Sequence, residues 1–175
     1  AVKALWDDDP EQARSTLDRS LDGARNGLGE ARRAIQALRA SPLEEEGLAS
    51  ALSHLGAAVE TRSAMRVEVS VAEDIADLEP ELEQALYRIA DEALTNATRH
   101  SGCTAIDVVL RRKGRRVRLE VRDDGTGFDP KAPVDNGHVG IRGMRERAAM
   151  LGGRLDVESS FDSGTVVSFE VEVLR

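Results

Sequence analysis

Asp123 and Asp124 close an apolar β-type run, residues 117–121, and two glycines spaced by one residue, Gly125 and Gly127, follow them. A carboxylate at such a turn accepts hydrogen bonds from an amino group. The glycines remove the Cβ atoms that would hold a flat ring or a phosphate away from the backbone. The same residues also suit a plain hairpin, because Asp-Gly is a favoured two-residue loop. Glu92 and Asn96 make a second candidate pair, four residues apart in a helical stretch, with His100 four further. That spacing lines all three along one helix face. A carboxylate and an amide one turn apart can hold a magnesium ion and orient a water or hydroxyl nearby. The bland alternative is a solvated polar face. Gly140 and Gly143 lie at the mouth of a further helix. Free N–H groups at a helix N-terminus attract phosphate and glycines let it approach, although a glycine-rich helix start reads the same way. Thr165 opens the last strand, where it either offers a hydroxyl to a phosphate or serves as a β-branched strand residue.

The elements that must position these residues follow from hydrophobic period. Residues 79–100 predict the strongest helix, with Leu82, Leu86, Ile89, Ala93 and Ala97 inward. Arg66–Val71 alternates polar and apolar as a strand does. Strands are predicted at about 104–112 and 115–122 around Gly114, and at about 153–159 and 164–173 around Asp162-Ser163-Gly164. Between them a polar loop, about 129–139, leads into a helix at about 140–151 that stops at Gly152-Gly153. Upstream, residues 10–40 place Leu17, Leu21, Ala24, Leu28, Ala31, Ile35 and Leu38 at alternating spacings of four and three, the seam of a coiled coil or bundle. Gly23, Gly27 and Gly29 weaken that helix by roughly 1 kcal/mol each, so it depends on a packing partner. Ser41-Pro42 ends it, and a helix over about 43–62 follows with Leu48, Leu52, Leu55 and Val59 on one face. The order is two helices, then β-α-β-β-α-β-β. It predicts an α+β fold, a two-layer α/β sandwich in which helices cover one face of a mixed sheet, preceded by a long N-terminal helix. The expected division is residues 1–42 and 43–175.

Composition narrows the function. The 175-residue chain carries 24 basic and 32 acidic residues, a net charge of −8, which argues against a general nucleic-acid binder. It is 41% hydrophobic but 3% aromatic, so its core must be aliphatic. Cys103 is the single cysteine, which fits a reducing compartment, and it reads as a small residue at the core edge rather than a nucleophile. No apolar run approaches the length of a membrane span, so a cytoplasmic location is expected, with any membrane attachment through segments outside this chain.

Taken in order, the motifs are E-A-L-T-N (92–96), D-D-G-T-G (123–127), G-H-V-G-I-R-G-M-R-E-R (137–147) and S-G-T (163–165). Residues 67–175 thereby resemble the ATP-binding catalytic domain of sensor histidine kinases, within the GHKL (Bergerat-fold) superfamily that includes gyrase-type and MutL-type ATPases. The M-R-E-R-A form is similar to the NarL/DesK-like subgroup. The resemblance implies ATP and magnesium as cofactors. Asp123 would accept the adenine amino group, with Gly125 and Gly127 shaping the adenine side. Asn96 would coordinate magnesium, and Glu92 would be the polarising carboxylate or general base. Gly140 and Gly143 would cradle phosphates beneath a lid at about 129–139, and Thr165 would sit near the pocket floor. His100 matches a basic position near the phosphates, and His138 lies in the lid.

Residues 10–40 resemble the second helix of the family's dimerisation and phosphotransfer hairpin. One departure matters: the phosphoacceptor histidine of the first hairpin helix has no counterpart, because His54, His100 and His138 occupy other positions. The implied activity is transfer of the γ-phosphoryl of Mg-ATP to a histidine absent from this chain, for relay to the receiver domain of a response regulator, in a homodimer held through the N-terminal helix region. Autophosphorylation at the usual site is not expected of this chain alone. Two alternatives share the pocket: a GHKL-type serine kinase acting as an anti-sigma regulator, which needs no bundle helix, and an ATP-binding dimerisation module without kinase activity.

Overall fold

The computed structural model describes residues 11–17, 20, 42–75, 77–130 and 139–173. Most of the predicted 10–40 helix, with every seam residue after Leu17, and the 131–138 part of the predicted lid, with His138, lie outside the described residues. The chain divides into two compact units, Ala1–Glu45 and Glu46–Arg175. In the first, residues 11–17 are helical and Ala13 is fully buried.

The second unit is built on one five-stranded sheet: β1 (Arg66–Val71), β2 (Ala105–Lys113), β3 (Arg116–Asp123), β4 (Arg154–Ser159) and β5 (Thr165–Glu172), in the order β1-β2-β3-β5-β4. β1 runs parallel to β2 and every other pairing is antiparallel, so the sheet is mixed as predicted. β2 and β3 are joined by Gly114-Arg115, with Gly114 at φ 62, a backbone that a two-residue hairpin loop accepts from glycine.

Alternation along each strand sorts the two faces. Ile106, Val108 and Leu110 of β2, Val117, Leu119 and Val121 of β3, and Val167, Phe169 and Val171 of β5 are all buried. The expected aliphatic core holds, with Phe169 its one fully buried aromatic among the described residues. Helices supply the second layer. In α2 (Pro80–Asn96) Leu82, Leu86, Ile89 and Ala93 are buried, the stripe read from the sequence; in α3 (Val139–Met150) Met144 and Ala148 are buried. The opposite sheet face is charged. Arg118 stands across from Glu170, and Arg116 across from Glu172, with N···O separations of 3.8 and 3.7 Å. An antiparallel sheet tolerates such a solvated face. A shallow cavity of about 270 Å³ lies there, lined by Glu68, Ser70, Asp107, Val109, Glu120 and Arg122.

Two helix predictions need correction. The helical trace Pro42–Arg62 is broken at Gly47, whose φ 78 and ψ 165 are open to glycine alone. Beyond the break, α1 (residues 48–62) carries Leu48, Leu52 and Val59 inward as expected, while Leu55 is half-buried. Gly56 of α1 meets β1 so closely that a Cβ there would stand 2.7 Å from a Val69 methyl. His54 is exposed as expected, its Nδ1 2.7 Å from Glu46 Oε2. The 79–100 helix is α-helical only to Asn96. Residues Ala97–Ser101 form a π turn, closed by Gly102 at φ 62. Ser101 Oγ donates to the Ala97 carbonyl at 2.8 Å and Thr98 Oγ1 to Thr95 at 3.0 Å; side-chain back-bonding of this kind bends helices.

Candidate functional site

β3 alternates Val117, Leu119 and Val121 toward the helices, and the same period delivers Asp123, its last residue, to the buried side. Asp123 is 8% exposed. Directly across from it on β5 is Thr165. A buried carboxylate is costly unless it is hydrogen-bonded. The Gly125 N–H donates to Asp123 Oδ1 at 2.9 Å, and the Thr165 N–H also stabilises the carboxylate. Burial nevertheless holds its pKa above the usual carboxylate range. The glycines explain how the backbone closes around it. Gly164 sits at φ 72 against the Asp123 carbonyl, and Gly127 at φ 63 against the Ser160 carbonyl, with no room for a Cβ at either. Thr126 N–H bonds the Ser101 carbonyl at 2.8 Å, which ties this turn to the π turn after Asn96.

Asp124, the neighbouring carboxylate, does something different. Its Oδ1 accepts the Thr104 and Ala105 N–H groups at 2.7 and 2.9 Å, and its Oδ2 accepts the Thr104 hydroxyl at 2.7 Å. It thus clamps the end of β3 to the start of β2. These donors pull its pKa down to about 2. A carboxyl depressed in the folded state stabilises the fold above its unfolded pKa and loses that contribution as pH falls through the folded value. Acid titration of the wild type should therefore show a loss of stability between roughly pH 4 and pH 2 that Asp124→Asn lacks, measured as Tm against pH. Superimposable Tm profiles for the two proteins would refute the clamp.

Glu92 and Asn96 stand half-exposed on successive turns of α2. The start of α3 comes against them. A Cβ on Gly140 would collide with Glu92 Oε1 and lie 3.3 Å from Asn96 Nδ2. Gly143, three residues on, faces open space, with nothing within 4 Å of its Cβ position. His100 is exposed on the π turn, and no described contact joins it to Glu92, Asn96 or Asp123. Among the described residues no three His, Cys, Asp or Glu side chains gather as a ready-made metal cage.

The structure thus forms two clusters from the residues chosen by sequence. One is Asp123, Gly125, Gly127 and Thr165; the other is Glu92, Asn96 and Gly140. The π turn links them through Ser101. The first can receive a hydrogen-bond donor in a buried place. The second offers an amide, a carboxylate and the N-terminal end of a helix. Ser101 and Ser159 were missed. Ser101 Oγ accepts the Cys103 N–H at 3.1 Å while its carbonyl holds Thr126. Ser159 Oγ contacts Phe128, Gly164 and Thr165. Neither serine lies in a local pattern that could mark it; each acquires its role from a contact across the fold. Cys103 is buried, with its Sγ 3.7 Å from Met65 Sδ and its thiol pKa raised by burial, as a core-edge residue requires.

Residues 81–175, more than half the chain, match the family described as histidine kinase-, DNA gyrase B-, and HSP90-like ATPase. The chain is 32% identical over 160 residues to the sensor histidine kinase MctS of Rhizobium johnstonii, covering 90% of this chain and 34% of that protein. It is 30% identical over 170 residues to the sensor histidine kinase ComP of Bacillus subtilis, covering 95% and 22%. It therefore spans about a third or less of these relatives. Among solved structures, the histidine kinase domain of the Erythrobacter litoralis EL346 blue-light activated histidine kinase superposes with a TM-score of 0.59 at 24% identity, over 72% of this chain and 61% of that one. The Acinetobacter baumannii histidine kinase AdeS superposes with a TM-score of 0.62 at 12% identity, over 91% and 85%. At these identities the superpositions establish the fold. The family match over residues 81–175 places the chain in the histidine kinase-, DNA gyrase B- and HSP90-like ATPase family, and the relatives it matches in sequence are sensor histidine kinases.

Proposed function

We propose that this chain is the ATP-binding catalytic part of a two-component sensor histidine kinase. The observation that supports the reading best is the pair of clusters joined by the π turn: a buried acceptor carboxylate, Asp123, at one end and Glu92 with Asn96 under the N-terminal end of α3 at the other. The residues present fit magnesium-ATP. Asp123 would hold the adenine amino group, flanked by Gly125, Gly127 and Thr165. Asn96 would be the protein ligand of magnesium, an ion that takes few protein ligands and leans on substrate phosphates. Gly140 and Gly143 would admit phosphates to the N–H groups of α3, where the open space at Gly143 leaves room. His100 would add positive charge near them.

When bound, magnesium-ATP supplies the transferable phosphoryl group and the charge that offsets its oxygens. Glu92 would then orient the imidazole of a histidine outside this chain by accepting the N–H of its non-attacking nitrogen, which leaves the other nitrogen's lone pair free to attack. Such transfer is mostly positioning and charge stabilisation. Residues 1–42 serve as the remaining helix of a dimerisation and phosphotransfer hairpin, residues 43–175 as the catalytic part. The partners are a second copy of the chain and the receiver domain of a response regulator, in the cytoplasm. No helix among the described residues is long and apolar enough to cross a membrane.

Asp123→Asn tests the nucleotide reading. Loss of a charged acceptor should weaken Mg-ATP binding by roughly ten- to a hundredfold in calorimetry. Because burial already disfavours the ionised carboxyl, the same substitution should leave Tm at neutral pH unchanged or raise it. Undiminished affinity in Asp123→Asn would sink the assignment.

A further inference from the structure

Ser159 ends β4, directly across from Thr165, and its hydroxyl has three partners. Oγ donates to the Gly164 carbonyl at 2.9 Å, accepts the Phe128 N–H at 3.0 Å, and lies 3.0 Å from Thr165 Oγ1. In the last contact either oxygen could donate on distance alone. The backbone partners remove that freedom. A carbonyl only accepts and an amide N–H only donates, whereas a serine hydroxyl has one proton and two lone pairs. The Ser159 proton goes to Gly164, one lone pair goes to Phe128, and the remaining lone pair must receive the Thr165 proton.

From this we infer that Ser159 is a positioning residue that sets the hydrogen-bond polarity of the base end, turning the Thr165 hydroxyl into a pure acceptor toward the ligand. The inference rests on the nucleotide reading proposed above. Thr165 pairs across β3 and β5 with Asp123, so the two side chains share one face of the sheet. An ionised carboxylate also only accepts. Together they present an edge made wholly of lone pairs. Such an edge selects hydrogen-bond donors: the two hydrogens of an exocyclic amine, or a water that donates to the hydroxyl. A purine without the amine leaves buried acceptors unpaired, which is more costly than losing an exposed bond. The same Ser159 contacts hold the Gly164 carbonyl and Phe128, the residue that follows the glycine turn, so the polarity and the placement of the turn come from one hydroxyl.

The experiment compares Mg-ATP with the analogue lacking the 6-amino group, purine riboside triphosphate, in calorimetric titrations of the chain and its variants. The wild type should prefer ATP by about tenfold or more. Ser159→Ala frees the Thr165 proton, so that preference should narrow by about three- to fivefold, mainly through weaker ATP binding. Ser159→Thr retains a hydroxyl and should restore it. Thr165→Val, which removes the lone pairs while leaving the Ser159 bonds to Gly164 and Phe128 in place, should narrow the preference to the same degree and keeps the test decisive if Ser159→Ala fails to fold. A brace without a polarity role predicts that Ser159→Ala weakens both nucleotides equally; that result, or an unchanged preference in Thr165→Val, overturns the inference. No ATP binding by the wild type overturns the nucleotide reading itself and this inference with it, whereas ATP binding with no sensitivity to Ser159 overturns this inference alone.

Discussion

Glu92→Gln should slow phosphoryl transfer to a histidine by about two to four orders of magnitude, the usual contribution of a positioned general base. Glutamine keeps the length and branching of the side chain but cannot hold a proton or orient an imidazole N–H through a charge. Glu92 stands on α2 beside Asn96, under the start of α3, and is not part of the cluster around Asp123. Mg-ATP affinity should therefore change by less than about threefold. Single-turnover phosphorylation, with an acceptor helix supplied in cis or in trans, reads the first quantity, and calorimetry reads the second. A rate within threefold of wild type would remove Glu92 from the chemistry. A parallel collapse of affinity would make it a binding residue instead.

The largest effect on stability is expected at Gly127 and Gly164. Both have positive φ, and at both a Cβ would run into a backbone carbonyl, that of Ser160 or Asp123. Backbone atoms cannot rotate away as a side chain can. Left-handed backbone and overpacking each cost about 1–3 kcal/mol, so Gly164→Ala and Gly127→Ala should each lose about 3 kcal/mol or more. In a chain of this size that corresponds to a drop in Tm of roughly 6–12 °C. Gly114→Ala is the control. Its φ is 62 but nothing lies within 4 Å of its Cβ position, so only the backbone cost of about 1–2 kcal/mol applies. Equal losses at Gly114 and Gly164 in thermal or urea melts would show that close approach contributes nothing.

Much of the framework was legible in the chain. All five strands fall within two residues of their predicted positions, because one half-buried face imposes a period of two that neighbouring residues record. The inward stripe of α2, Leu82 to Ala93, was readable for the same reason at a period of 3.6. The helix ends were less legible. Nothing in Ala97–Ser101 distinguishes a π turn from another α turn, since the difference lies in which carbonyl each N–H reaches. Gly47 falls inside the predicted 43–62 helix, and its φ of 78 becomes visible only once the backbone is built.

The site divides along the same line. Residue type and spacing singled out Glu92, Asn96, Asp123, Gly140 and Thr165 as candidates, because carboxylates, amides and glycines advertise their chemistry locally. Pairing decided what each one faces. Asp123 meets Thr165 through the β3–β5 register, Asp124 binds Thr104 through β2–β3, and Gly140 reaches Glu92 only because α3 packs beside α2. Ser159, silent in the sequence, acquires its role from three partners up to 31 residues away. Period and propensity are properties of adjacent residues and survive in the unfolded chain. Burial, a shifted pKa and the direction of a hydroxyl proton belong to contacts between distant segments, and they exist only once the sheet has closed against its helices.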